Sequence, residues 1–589
     1  MVTVKFSVSA TTDSTEFVGI VGNALELGNW RLEGSKILQF NEESSKWSLE
    51  VKFENCSSVK YRYFIGDYLH DESDNKTMVV RKWEIGHGDK VRTTDIIPGK
   101  SQDVDDGNFG VVNGINIVDQ GWLTGQTEVR FNISLTGAKT VVSWHKSFEK
   151  NVGENLMILF HPDIENTRVQ TRLIKPFKFE TLDGGIAVDL PQSGDEVLTF
   201  ITETVHIDSF SAHFIISDKS RKYLGRASVV GSMLDKSISY LTLAILDNNG
   251  KGIGSLKMEY MVITPYKNDE ITMENSYGTY WKKRPTIHIG HRGSGNSFTA
   301  ETTSDLFENT IASFQKAALH SAEMIEFDVQ LTKDKIPVVF HDFTICTNVV
   351  SKLEQRSGSL HEVEVQSLTF DELQTYATRH RSRKTDTRDP KFHQDDLHPH
   401  FRPFPSLQEV FEAVPEHVGF DIELKWPHYH VDKTWYHDVG RYYYDANEFL
   451  DSVFDVVFKH GGSRVIMFSC FEANICTMIR RKQNKFPVVY LTNGDSSTDI
   501  PFMELRSRYN RLAIPFCSSE NFLGLCTGEK DAYSDPTLVE KIHNSGLKFF
   551  LYGDNICKPE NREILTKQGV DGIIYDRIHN MLPETENKQ

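Results

Sequence analysis

The sequence predicts a multidomain chain with an N-terminal β-sandwich, a β-rich middle domain and a C-terminal (β/α)8 TIM barrel. Three observations lead there. Short β-branched and aromatic runs, separated by Gly, Asn and Asp, fill residues 1–95 and recur over 115–270, which is the rhythm of strands joined by turns. From Pro285 onward, apolar strand-like runs alternate with helical stretches, as in a parallel sheet with crossover helices. Roughly eight such strands over about 300 residues, many ending in polar residues, fit a barrel with a functional top face better than a doubly wound sheet.

In the first region KFSVSA, FVGIVG, KWSLEVKF and VKYRYFI are the strand candidates. A turn-rich stretch near Pro98-Gly99 leads to the second region, where EVRFNISL, LMILF, LTFITETVHI, FSAHFIIS and SYLTLAIL suggest a C2-like or immunoglobulin-like sandwich. No acidic cluster with calcium-loop spacing stands out there. The barrel region, 285–582, opens with TIHIGHR and continues through MIEFDVQL, PVVFHD, FDIELKWP, RVIMFSC, VVYLTNG, LKFFLYGD and DGIIYD. Residues 350–405, rich in His, Arg, Asp and Pro, are too long for a plain connection and are expected to form an insertion above the top face.

At 589 residues the chain has room for about four ordinary domains, or fewer if one is a barrel. A net charge of −17 argues against wrapping nucleic acid, which needs a concentrated basic face. The seven cysteines are an odd set with no CxxC pair, so neither a disulfide framework nor a structural zinc site is expected. The N-terminal MVTVKFSVSATTDSTEF lacks the pattern of a secretory leader, and no apolar run reaches about eighteen residues. The expectation is a cytosolic protein without a transmembrane segment.

Four strand ends carry the chemistry. One ends in His291-Arg292. The next carries Glu326 and Asp328, which alternation places on one face while Phe327 points away. A third ends in His341, and a fourth carries Glu423 and Lys425 on one face. Converging in a barrel, Glu326, Asp328 and Glu423 repel one another unless a cation neutralises them, and oxygen ligands favour Mg2+ first and Ca2+ second. His291 and His341 titrate in the range useful for moving protons, and Arg292 and Lys425 supply positive charge for phosphate oxygens. Together these groups describe metal-assisted hydrolysis of a phosphoester or a related bond, although isomerases and enolase-type enzymes also place carboxylates and histidines here.

The stretch HRGSGNSFTAETTSDLFENTIASFQKA, then EFDVQLTKDKIPVVFHD, FDIELK and GVDGIIYD, resembles the glycerophosphodiester phosphodiesterase family over residues 285 to 582. That resemblance implies catalytic roles for His291, Arg292, His341 and Lys425, metal ligation by Glu326, Asp328 and Glu423, and a place beside the site for Asn309. Which histidine serves the attacking oxygen stays open, as does direct water attack against a cyclic phosphate; the working assignment gives His291 the attack and His341 the leaving group. Phe307, Trp426, Tyr552 and Tyr575 depart from the family's common residues and are expected to reshape the pocket.

Residues 1–95 carry ELGNW, KYRYF and WEIGHGD, and resemble a starch-binding domain. The resemblance implies sugar stacking on Trp30 and Trp83 with Arg62 beside them, and glycogen or another glucan as a partner; His87 and Lys90 stand where that family has an Asn-Arg pair. The order of the three regions resembles the multidomain animal members of the phosphodiesterase family, which implies glycerophosphocholine as substrate, with glycerol 3-phosphate and choline as products. Phe343, Trp426, Phe471 and Tyr552, at or near strand ends, are candidates for holding a quaternary ammonium. The competing readings are a phosphodiesterase or lysophospholipase D acting on other glycerophosphodiesters, and a non-catalytic scaffold tethered to glycogen.

Overall fold

A computed structural model of the chain describes all residues except 55, 71–74, 86–90, 136–139, 150–154, 164–167, 278–283, 296–305, 349–359, 377–398, 436–442, 498–499 and 581–589. His87, Lys90 and most of the expected insertion at 350–405 lie outside the described residues. The chain divides into two compact units. One comprises Met1–Lys175, Phe179–Lys283 and Thr477–Pro487; the other comprises Pro176–Lys178, Arg284–Cys476 and Val488–Gln589.

The first unit is β throughout its sheets. At the N-terminus, Val2–Ser9 pairs antiparallel with Lys46–Phe53 and parallel with Gln102–Asn108, forming one sheet. The second sheet is built around Ser58–His70, which pairs with Phe17–Gly22 and Lys76–Glu84. The alternation in KFSVSA fits this arrangement, because Val4, Phe6 and Val8 point into a core with Val18, Ile20, Tyr61 and Tyr63. The β-rich middle region forms an eleven-stranded sheet. Its core is aromatic: Phe160 lies 5.5, 5.4 and 5.1 Å from the rings of Phe131, Phe200 and Phe214.

The three residues expected to hold sugar in the N-terminal region, Trp30, Arg62 and Trp83, are all buried. Trp83 is 0% exposed and Trp30 6% exposed. The Arg62 guanidinium lies 5.9 Å from the Trp30 ring centre and 5.7 Å from that of Trp83. Its nitrogens donate to the carbonyls of Glu84 and Glu274, each at 2.8 Å. Met273 is buried in the same cluster, and its amide donates to the Trp30 carbonyl at 2.9 Å. The segment around residues 271–276 therefore packs where a sugar ring was expected to stack.

The second unit is a closed eight-stranded parallel barrel. Its strands are β1 (Ile287–Gly290), β2 (Met324–Leu331), β3 (Gly419–Leu424), β4 (Ile466–Cys470), β5 (Val488–Thr492), β6 (Gly524–Gly528), β7 (Lys548–Tyr552) and β8 (Gly572–Tyr575). They pair in sequence order, and β8 pairs with β1 to close the ring. Every residue of β2 is buried, as both faces of a barrel strand must be. Register sets Glu326 beside Asp421 and Asp328 beside Glu423, so acidic side chains fill two successive inward layers of β2 and β3. Phe327 faces the other way and packs on Phe314 of helix α1 (Ile311–Leu319), with ring centres 5.3 Å apart.

Candidate active site

The top of the barrel opens into a cavity of about 460 Å³. His291, Arg292, Glu326, His341, Glu423 and Lys425 all line it. A tight turn after β1 aims the first two of these inward. Gly293 occupies φ +85°, where a Cβ would lie 2.6 Å from the Ser313 hydroxyl, so only glycine fits. Arg292 itself takes φ +47°, and its amide donates to Glu326 Oε2 at 2.8 Å.

The carboxylates meet as their strand positions require. One oxygen each of Glu326, Asp328 and Glu423 lies within 4.8 Å of the others. Asp328 is 1% exposed. It receives the Asn309 side-chain amide at 2.9 Å, and its other oxygen lies 3.4 Å from Lys425 Nζ. Lys425 also donates to Glu423 Oε1 at 2.9 Å. Arg292 donates to Glu308 Oε1 at 2.7 Å, and its Nε lies 3.7 Å from Asp328.

Burial opposes charge on Asp328, but His341, Lys425 and Arg292 outweigh it and hold its carboxyl below the usual range. Glu326 goes the other way: burial, and then the charge of Asp328, push its carboxyl well up. Such a buried pair, ionised on one member and resisting ionisation on the other, would be relieved by a further positive charge. An all-oxygen donor set of this kind fits a hard divalent cation.

Each histidine has its own carboxylate. His291 Nδ1 lies 2.7 Å from Asp576 Oδ1, and His341 Nδ1 lies 2.7 Å from Asp342 Oδ1. Burial alone would lower the His291 pKa, but Asp576 outweighs it and raises the ring to about 9. For His341, burial together with Arg292 and Lys425 lowers the pKa.

The four aromatic candidates all line the cavity but divide in two. Phe343 and Trp426 pack edge-to-face on Tyr443, at 5.8 and 5.0 Å. Phe471 and Tyr552 meet each other at 6.1 Å, away from that cluster. The cavity also holds residues that sequence reasoning missed: Asp421, Asp576, His428, His430 and Phe502. Asp421 is two residues before Glu423, so strand alternation was signal enough to place it inward. One of its oxygens accepts from Ser469 Oγ at 2.7 Å, and the other is buried without a hydrogen-bond partner among the described residues. Phe502 arrives from a loop and left no such signal.

Residues 291–580 match the glycerophosphoryl diester phosphodiesterase family, residues 1–99 a starch binding domain, and residues 175–267 a GDE1-like C2 domain. The chain is 34% identical over 624 residues to glycerophosphocholine phosphodiesterase GPCPD1 of Mus musculus, covering 99% of this chain and 92% of that protein. It is also 34% identical over 620 residues to the Homo sapiens protein of the same name, with the same coverage. A putative GPCPD1 homolog of Caenorhabditis elegans is 28% identical over 642 residues, covering 96% of this chain and 91% of that protein. No helix among the described residues is long and apolar enough to cross a membrane. Likeness at this level along nearly the whole length, with the acidic cluster and both histidines at the mouth of a closed barrel, places the chain in the glycerophosphoryl diester phosphodiesterase family.

Proposed function

We propose that the chain hydrolyses glycerophosphocholine to glycerol 3-phosphate and choline, with Mg2+ held by Glu326, Asp328 and Glu423. The observation that carries this reading is the cluster of Glu326, Asp328 and Glu423 oxygens within 4.8 Å, of which Glu326 and Glu423 line one cavity with His291, His341, Arg292 and Lys425. The names of the relatives support the choice of head group. When bound, the cation supplies charge screening for the phosphate and a lower pKa for water beside it.

The chain's own groups do the rest. Arg292 and Lys425, now paired with carboxylates, turn positive charge toward the non-bridging phosphate oxygens. His341, whose pKa is lowered, takes a proton from the attacking water as its oxygen bonds to phosphorus. His291, kept protonated to about pH 9, gives its proton to the choline oxygen as that P–O bond breaks. This reverses the working assignment, because the Asp576 pair favours a charged ring at His291.

Hydrolysis in ¹⁸O-labelled water tests the reading. The expected result is label in the phosphate of glycerol 3-phosphate, equimolar choline and no phosphocholine. Phosphocholine as product, or label in choline, would contradict it.

A further inference from the structure

We propose that Phe471, Phe502 and Tyr552 form a wall that recognises the substrate's head group as a quaternary ammonium, on the side of the barrel mouth away from the carboxylates. The inference rests on the phosphodiesterase reading above and assigns its head-group site.

The strand order separates two arcs. β8, β1, β2 and β3 deliver Asp576, His291, Glu326, Asp328 and Glu423. Across the ring, Phe471 follows β4, Tyr552 ends β7, and Phe502 comes from the loop after β5. A diester whose phosphate sits over the acidic arc therefore has one of its two alcohols directed toward the aromatic arc.

Backbone pairing fixes Phe502 in place. It bridges antiparallel to His430, the Val431 amide donates to the Pro501 carbonyl at 3.0 Å, and Met503 donates to Tyr429 at 2.6 Å. Arg508 Nε donates to the Phe502 carbonyl at 2.8 Å. The loop is thus stitched to the segment after β3, and the ring is presented by a braced support.

The rings cross steeply. Phe471 meets Phe502 at 6.0 Å and 67°, and Tyr552 at 6.1 Å and 80°. Crossed rings around one cavity offer π-faces in several directions, which suits a round cation better than a flat group. Tyr552 commits its hydroxyl to the Thr492 carbonyl at 3.1 Å, so its ring is what it contributes.

The imidazole nearest the wall does not repel a cation. The His428 ring lies 4.5 Å from Phe502; burial and then Lys425 push its pKa down to about 3, so it is neutral. Glu472 Oε2 lies 3.7 Å from His428 Nδ1, and Asp554 lines the cavity beside Tyr552. The three ring faces themselves offer a polyol no hydrogen bonds, whereas a trimethylammonium group needs none. The glycerol end is therefore assigned to the polar arc.

The test compares wild type, Phe502→Leu and Phe471→Leu in the full chain with Mg2+. The substrates are glycerophosphocholine, glycerophosphoethanolamine and the uncharged 3,3-dimethylbutyl isostere of the choline diester. Wild type is expected to favour the choline diester over the isostere by about tenfold in KM, and each variant to erase that preference. The loss in kcat/KM should be larger for the choline diester than for the ethanolamine diester, and smallest for the uncharged isostere. Circular dichroism establishes that each variant is folded, and Phe471→Leu carries the test if Phe502→Leu does not fold. Equal losses on all three substrates, or an unchanged choline preference, would overturn the proposal. Choline release at wild-type level in both variants would overturn it and leave the proposed hydrolysis of glycerophosphocholine standing. Wild type that cleaves none of them would overturn both.

Discussion

Asp576 Oδ1 lies 2.7 Å from Nδ1 of His291, joining the residue after the last barrel strand to the residue after the first. The seam where β8 meets β1 is thus also where a proton-carrying imidazole is oriented. With Nδ1 engaged by the carboxylate, Nε2 is the nitrogen left for chemistry. The carboxylate stabilises the charged ring, which is why His291 stays protonated well above an ordinary histidine.

Asp576→Asn keeps the shape and removes the charge. It is expected to lower kcat by about 10- to 100-fold with a smaller change in KM, as for lost partners of functional histidines. The His291 pKa should fall from about 9 toward its ordinary value, so the basic limb of the pH–rate profile moves to lower pH. An unmoved limb would show that Asp576 does not act through His291.

Gly295 supports the same contact from behind. It takes φ +109°, and a Cβ there would lie 2.6 Å from the Arg577 amide nitrogen and 2.9 Å from Asp576 Cα. Gly295→Ala should cost about 1–3 kcal/mol of stability through strain and overpacking. By displacing Asp576 it should also reproduce part of the Asp576→Asn kinetic loss. Thermal unfolding and kcat measured on the same sample check both.

His428 makes a pH prediction. Its folded pKa is about 3, against about 6.5 when unfolded, because burial and then Lys425 disfavour the charged ring. Below about pH 6.5 the unfolded state binds the extra proton, so the contribution of this residue to stability falls as pH drops, and it stops falling near pH 3. At pH 5 the loss should be about 2 kcal/mol at most. His428→Phe should flatten this part of the pH–stability curve in denaturant titrations; an unchanged slope would contradict the assignment.

Trp83 is read as core. Trp83→Ala should destabilise the first unit by about 3–5 kcal/mol, the cost of emptying a buried aromatic site. A shift below about 1 kcal/mol in urea unfolding would be too small for a buried ring and would restore the surface reading.

Alternation along MIEFDVQL and FDIELK was enough to bring Glu326, Asp328 and Glu423 to one inward face, and a strand-end position was enough to direct His291 to the mouth. His341 instead follows Pro337–Val339, which pairs antiparallel with β2 outside the closed ring, and the barrel strand Gly524–Gly528 was not among the strand candidates. Alternation applied two residues before Glu423 would have found Asp421. Asp576 was harder, because its importance comes from closure of the ring, which sets β8 beside β1 across nearly the whole barrel sequence. Phe502 was invisible, since its position depends on backbone pairing of one loop with another. The burial of Trp30 and Trp83 was illegible for a related reason. Their cover comes from Glu274 and its neighbours, 212 residues beyond Arg62, and local patterning carries no information about such a contact.

The measurement that bears most directly on the central claim is a calorimetric titration of Mg2+ into chelator-treated protein, with choline release followed at each point. One cation per chain is expected, with activity rising in step with occupancy, and with both lost in Glu423→Gln. Full choline release from metal-free protein, or Mg2+ binding undiminished by Glu423→Gln, would contradict the assignment of the Glu326–Asp328–Glu423 cluster.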